Sequence, residues 1–238
     1  MKVDLLAIAA HPDDVELTSG GTMLKMTQAG YRTGILDLTR GETGSRGTPE
    51  IRLREAARAG KILGTAVRRN LGLPDARLEI RDDYKIALAE VIRELQPHTV
   101  ILPYWEGRHP DHYNAAKLGY EACFVAGLKN YPLGGEAFRP FKILYAAAYE
   151  FMRPTFCIDI TKQFERRKQA ILAYASQFAP RKKDRGSKVT LPLDELEGRM
   201  NAIAQYYGRL IGVQYAEGFM VKEVMQVDDV MKLQVRSI

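Results

Sequence analysis

Apolar and polar positions alternate in two rhythms through the first half of the chain. Short, continuous apolar runs have the length of strands buried on both faces: "VDLLAIAA" (3–10), "RTGILDLT" (32–39), part of "AVRRNLGLP", and "HTVILP" (98–103). Between them lie segments with helical spacing. "GGTMLKMTQAG" (20–30) closes on Gly30, and "DDYKIALAEVIREL" (82–95) opens on two acids and precedes Pro97. In "EIRLREAARAGKILG" (50–64), Leu53, Ala56, Ala57, Gly60 and Leu63 share one helical face. "YNAAKLGYEACFVAG" predicts a fourth helix ending at Gly127. The alternation predicts an α/β fold with a Rossmann-like, doubly wound, mostly parallel sheet. Its crossovers are right-handed and its strand order near the centre is 3-2-1-4.

The second half is less regular and predicts an α+β portion. Strands are expected over 141–150 and 155–160, and helices over 162–178 and 192–212. A polar loop fills 179–191, and "EGFMVKEVMQ" suggests an edge strand. Residues 1–238 are read as one domain, with a core over 1–130 and an elaboration over 131–238.

Composition narrows the function classes. The 238 residues are 46% hydrophobic and 27% charged, enough for one sizeable core. The net charge of +6 is scattered, and the dense run "RKKDRGSK" (181–188) is interrupted by an acid. No nucleic-acid motif accompanies it, so a solvated loop is the plainer reading. No apolar run reaches about 18 residues, so no membrane span is expected. The N-terminal run is too short and unflanked for a signal peptide. Two cysteines, Cys123 and Cys157, form no CxxC and fit a reducing cytoplasm.

The chemistry concentrates in two motifs, His11-Pro-Asp-Asp14 and His109-Pro-Asp-His112, each placed just after a predicted strand. In a doubly wound parallel sheet such loops share the carboxyl edge, and strands one and four flank the crevice where ligands bind. Three of the four histidines lie in these motifs, while His98 has no acidic neighbour. Two or three imidazoles with a carboxylate are typical of a catalytic Zn²⁺ site, which keeps one position for water. Such ligands also accept Fe²⁺ or another divalent ion. A lone HPDD reads better as a capped loop; the paired arrangement favours a metal. Gly20 and Gly21 suggest a tight turn into the first helix, since neither GxGxxG nor GxxxxGK[ST] is present.

At these residues the chain resembles the PIG-L/LmbE-like family of zinc-dependent N-acetylglucosamine deacetylases. The resemblance rests on AHPDDVE (10–16), "LTRGETGSRGT" (38–48), the Arg52-x-x-Glu55 pair and "RHPDH" (108–112). It continues through "FCIDI" (156–160), "YASQF" (174–178) and "IGVQYAEGF" (211–219), which bring it nearest to the bacillithiol-biosynthesis branch. It implies an LmbE-like fold with His11, Asp14 and His112 as zinc ligands, Asp13 as general base and His109 as oxyanion stabiliser. It implies a cytoplasmic homo-oligomer that removes the acetyl group of N-acetylglucosaminyl-L-malate. Arg52 and Arg108 are the candidates for the malate carboxylates, because the guanidinium fork matches a carboxylate. Glu42 is the candidate for sugar hydroxyls, with Arg46 and Gln177 behind it. Asp111 is placed to orient His109. The tyrosine that mycothiol-branch relatives carry two residues before the first histidine of RHPDH is replaced here by Gly107. The alternatives are a deacetylase of another N-acetylglucosamine compound, such as a chitobiose-like sugar, and a non-catalytic metal- or sugar-binding module.

Overall fold

Strand parity divides the core in two. In the computed structural model, which describes residues 1–146, 152–179 and 193–235, the run Leu5–Ala9 forms β1 and is buried at every position. Its neighbours Thr33–Thr39 (β2), Val67–Leu73 (β3), Thr99–Pro103 (β4) and Lys142–Ala146 (β5) are all parallel to it. Phe156–Asp159 (β6) and Ala216–Met220 (β7) complete a seven-stranded sheet of order β3-β2-β1-β4-β5-β7-β6. The 3-2-1-4 expectation and the α/β class hold.

Leu6, Ile8, Leu36, Leu38, Val100 and Leu102 face one layer of helices, Asp82–Leu95 (α3) and Pro110–Ala126 (α4). The alternate residues Leu5, Ala7, Ala9, Ile35 and Ile101 face the other: Asp14–Gln28 (α1), Pro49–Leu63 (α2) and Phe164–Leu172 (α5). Period-two alternation with both faces covered explains why these strands read as solid apolar runs. Ala175–Phe178 (α6) and Leu193–Ile211 (α7) follow, so the single helix expected over 162–178 is split where Tyr174 turns into the core. The loop expected over 179–191 lies outside the described residues except for Ala179.

Three departures from the sequence reading bear on the site. Both helices after the motifs begin early. α1 starts at Asp14 with Asp13 as its N-cap, and α4 starts at Pro110 with His109 as its N-cap. Proline is favoured at that first helical position because its missing N–H is one the helix leaves unpaired.

Second, Gly20 and Gly21 lie inside α1, not in a turn before it. A pair from the second half engages the α1 backbone there. Glu217 accepts from the Gly21 and Thr22 N–H groups at 2.8 and 2.7 Å, and Arg167 donates to the Glu16 and Leu17 carbonyls. Arg167 Nε and Glu217 are 3.1 Å apart. A Cβ on Gly21 would stand 2.7 Å from Ile160 Cδ1 and 2.9 Å from Ile160 Cβ.

Third, β7 is not an edge strand. It pairs antiparallel with both β5 and β6, leaving β6 at the margin. That placement carries Glu217 under α1.

Candidate metal centre and active site

All the candidate residues except Gln177, which lies on α6, follow the carboxyl ends of β1, β2 and β4. The turn from β1 into α1 carries His11, Asp13 and Asp14; the turn from β4 into α4 carries His109, Asp111 and His112. β1 and β4 pair directly, with Leu5 opposite Thr99, so the two turns meet. His11 Nδ1, the Asp14 carboxylate and His112 Nε2 converge: Asp14 Oδ2 is 3.2 Å from His11 Nδ1, and Asp14 Oδ1 is 3.2 Å from His112 Nε2. Ligand atoms of these three residues lie within 4.8 Å of one another, and all three residues are buried.

The donor set fits a divalent ion. Two imidazoles and a carboxylate suit Zn²⁺ and similar borderline ions better than Ca²⁺ or Mg²⁺. The far side of His11 supports the same conclusion. His11 Nε2 is 3.3 Å from Asp111 Oδ2, with which it shares a hydrogen bond, and 3.0 Å from Asp75 Oδ1. A proton held at Nε2 leaves the Nδ1 lone pair toward Asp14, the carboxylate–histidine–metal pattern. Burial disfavours charge on His11, yet Asp14, Asp111 and Asp75 outweigh it and raise its pKa well above the ordinary value. Burial likewise works against the Asp14 anion, but His112 and His11 hold its pKa well below the usual carboxylate range. Three carboxylates thus surround the His11 imidazole, Asp14 at Nδ1 and Asp111 and Asp75 at Nε2. A second group, His11, His109 and Asp111, has ligand atoms equally near one another. There, however, the Asp111 carboxylate already accepts from the Ala76 and Leu78 N–H groups.

Asp13 is the N-cap of α1 and sits at φ 112°, ψ −26°. This conformation is uncommon for a residue with a side chain and places the carboxylate beside, not within, the ligand set. Burial pushes its pKa up to about 7, with Arg52 pulling down and Asp14 pushing up. His109 is partly exposed, with its ring centroid 4.8 Å from that of His11 and 4.9 Å from that of His112. Its Nδ1 accepts the Asp111 backbone N–H at 3.2 Å, so a neutral ring carries its proton at Nε2. Burial, then His11 and His112, lower its pKa. Asp111 is only 1% exposed and its carboxylate holds His11 and the β3–α3 loop, not the His109 ring.

The expected recognition residues divide. Arg108 is exposed beside His109. Glu42 is exposed on the β2–α2 loop, and its Oε1 accepts the Asp75 N–H at 2.8 Å. Arg52 is buried, and its Nη2 donates to Pro12 O at 2.6 Å and to Asp13 Oδ2 at 2.9 Å. Arg46 and Gln177 bond each other's backbone carbonyls at 2.5 and 2.7 Å. Glu55 accepts from Ser176 N–H and Oγ, so the Arg52-x-x-Glu55 and YASQF motifs meet. The buried face of α2 is therefore Arg52, Glu55, Ala56, Ala59, Gly60 and Leu63, while Leu53 is 45% exposed. The amphipathic reading put Leu53 and Ala57 on that face because it counted only apolar and small residues, whereas here two charged residues turn inward to buried partners. Asp75 escaped the motif reading altogether. Its signal is an acid just past a strand, on the same sheet edge as the histidines.

Comparison with known proteins finds relatives along most of the chain. The profile of the PIG-L family, GlcNAc-PI de-N-acetylase, matches residues 6–123, which contain all the ligand candidates. Diacetylchitobiose deacetylase of Thermococcus kodakarensis is 32% identical over 230 residues, 90% of this chain and 81% of that protein. Among solved structures, a conserved protein of Thermus thermophilus is 40% identical with a TM-score of 0.86, covering 95% of this chain and 98% of that one. N,N'-diacetylchitobiose deacetylase from Pyrococcus horikoshii, in complex with an inhibitor, is 26% identical with a TM-score of 0.78, covering 90% and 82%. The chain belongs to the PIG-L family and is an amide-hydrolysing N-deacetylase.

Proposed function

We propose that this enzyme removes an acetyl group from an N-acetylglucosamine disaccharide of the chitobiose type, with a divalent ion, zinc first, held by His11, Asp14 and His112. The similarity to the Thermococcus diacetylchitobiose deacetylase along nearly the whole chain carries the choice of sugar. It supports that sugar over the malate glycoside, as does the inward turn of Arg52, which leaves Arg108 as the exposed arginine of the two.

A bound divalent ion supplies a Lewis acid for the acetyl carbonyl and lowers the pKa of water toward neutrality. Asp13 takes the proton of the attacking water as its oxygen bonds to the acetyl carbon. Asp13 then returns that proton to the sugar nitrogen as the C–N bond breaks, giving acetate and the free amine. His109 Nε2–H faces the developing oxyanion; losing one such donor typically costs about 10²–10³ in rate. Glu42 and Arg108, exposed at the rim, meet the sugar.

The test is acetate release from N,N'-diacetylchitobiose, N-acetylglucosamine and N-acetylglucosaminyl-L-malate, with metal content measured on the same samples. We expect fastest turnover of the disaccharide, loss with chelator and recovery with Zn²⁺. A clear preference for the malate glycoside would move the enzyme to the bacillithiol branch. Wild-type rates for Asp13→Ala with metal retained would refute the mechanism.

A further inference from the structure

The chain's single tryptophan is gripped by a cation from near the end of the sequence. Just past β7, the ammonium of Lys222 lies over three rings at once. It is 4.8 Å from the ring centroid of Trp105, 4.9 Å from that of Tyr120 and 4.8 Å from that of Tyr145. At such distances the negative face of each ring attracts the charge. Three elements supply the walls of this box. Tyr120 comes from α4, and Tyr145, 1% exposed, comes from β5, where it lies opposite Leu102 of β4. Trp105 comes from the loop between β4 and α4; its ring centroid is 4.5 Å from that of Tyr104, and it meets Tyr145 edge-on at 4.8 Å. The same loop carries Arg108 and ends at His109, the N-cap of α4. Its ends are tied down by hydrogen bonds: Tyr104 N–H donates to Ala146 O at 3.0 Å, and Asp111 N–H to His109 Nδ1 at 3.2 Å. Among the described residues, Trp105, Glu106, Gly107 and Arg108 make no hydrogen bond, so packing of the Trp105 ring is what secures the stretch between.

We propose that Lys222 is a positioning residue: by closing the box over Trp105 it fixes the loop that presents Arg108, and through Arg108 it acts on substrate binding. The effect on substrate rests on the reading of Arg108 as a residue that meets the sugar; the clamp on Trp105 rests on geometry alone. Lys222 is itself exposed, so the clamp closes from the solvent side and can be removed without opening the core.

The test compares wild type with Lys222→Met, Lys222→Arg, Arg108→Ala and the double variant Lys222→Met with Arg108→Ala. For each, kcat and KM are measured on whichever of the three acetylated compounds above is turned over fastest, together with metal content and acrylamide quenching of tryptophan fluorescence. With one tryptophan in the chain, the emission reports the box directly. Lys222→Met keeps an unbranched stem and loses the charge, whereas Lys222→Arg keeps a cation that stacks on aromatic faces. We expect Lys222→Met to raise the quenching constant and to raise KM about 2–5-fold, with kcat and metal content nearly unchanged, and Lys222→Arg to restore both. The KM effect should vanish where Arg108 is already alanine, because the two residues then act as one unit. Unchanged quenching in Lys222→Met would overturn the clamp. Raised quenching at wild-type KM, or a KM effect that persists in the Arg108→Ala background, would overturn its role toward substrate. Wild-type KM for Arg108→Ala would overturn the route through Arg108 by removing the reading on which it rests, while the quenching still decides the clamp.

Discussion

At the scale of single residues, the proposed ligand His11 is held by acids outside the proposed ligand set. Asp75 Oδ1 stands 3.0 Å from His11 Nε2, and its Oδ2 accepts from Thr43 N–H and Oγ1 at 2.8 and 2.7 Å. Asp75→Asn is expected to weaken metal binding by about 10–100-fold, as supporting partners of metal ligands do, read by competition with a chromogenic chelator. The cysteines tell a different story. Burial pushes the thiol of Cys123 up to about 12 and that of Cys157 up to about 11, so both stay protonated near pH 7.5. Neither is expected to be alkylated by iodoacetamide in the native protein at that pH, checked by intact mass against an unfolded control. The convergence of His11, Asp14 and His112 was legible in the sequence because both motifs stand directly after strands that pair. Asp75 was not legible as a partner of His11, since a lone acid in Leu73-Pro-Asp-Ala76 gains meaning only when β3 is placed in the same sheet as β1, across β2. The partners of Arg52 were hidden for the same reason.

At the scale of elements, the strands were readable because each is apolar on both faces, and α3 because its ends are marked by acids and by a proline. The starts of α1 and α4 were misplaced because polar residues such as Asp14, Glu16, Asp111 and His112 occupy their first turns, where an apolar periodicity has nothing to register. The interior of α1 shows the limit of propensity. Replacing a helix-interior glycine by alanine ordinarily gains about 1 kcal/mol. Gly21→Ala is expected to have the opposite sign and cost about 1–3 kcal/mol, because its Cβ meets the β-branched Ile160 and not the end of a flexible chain. Urea unfolding monitored by far-UV circular dichroism measures it, and a gain in midpoint would contradict the packing described for α1.

At the scale of the molecule, the elaboration and the core share one set of bonds. Glu217 is 3% exposed, pairs with Arg167 and takes the Gly21 and Thr22 N–H groups along with Thr22 Oγ1. Glu217→Gln leaves Arg167 with its charge uncompensated, and a loss of about 3–5 kcal/mol is expected in the same unfolding assay. A fragment of residues 1–130 holds every proposed ligand but neither half of that pair. It should give no cooperative thermal transition, whereas the whole chain should give one; a folded fragment would show that the core stands alone. Synthesis runs from the N-terminus, and domains generally form as their residues emerge. His11, Asp14 and His112 leave the ribosome early, but the carboxylate on which the middle of α1 rests is added only at residue 217. A nascent chain would therefore hold these three proposed ligands for roughly half of its synthesis before Glu217, which holds the middle of α1, is added, and the last strand would set when α1 is secured.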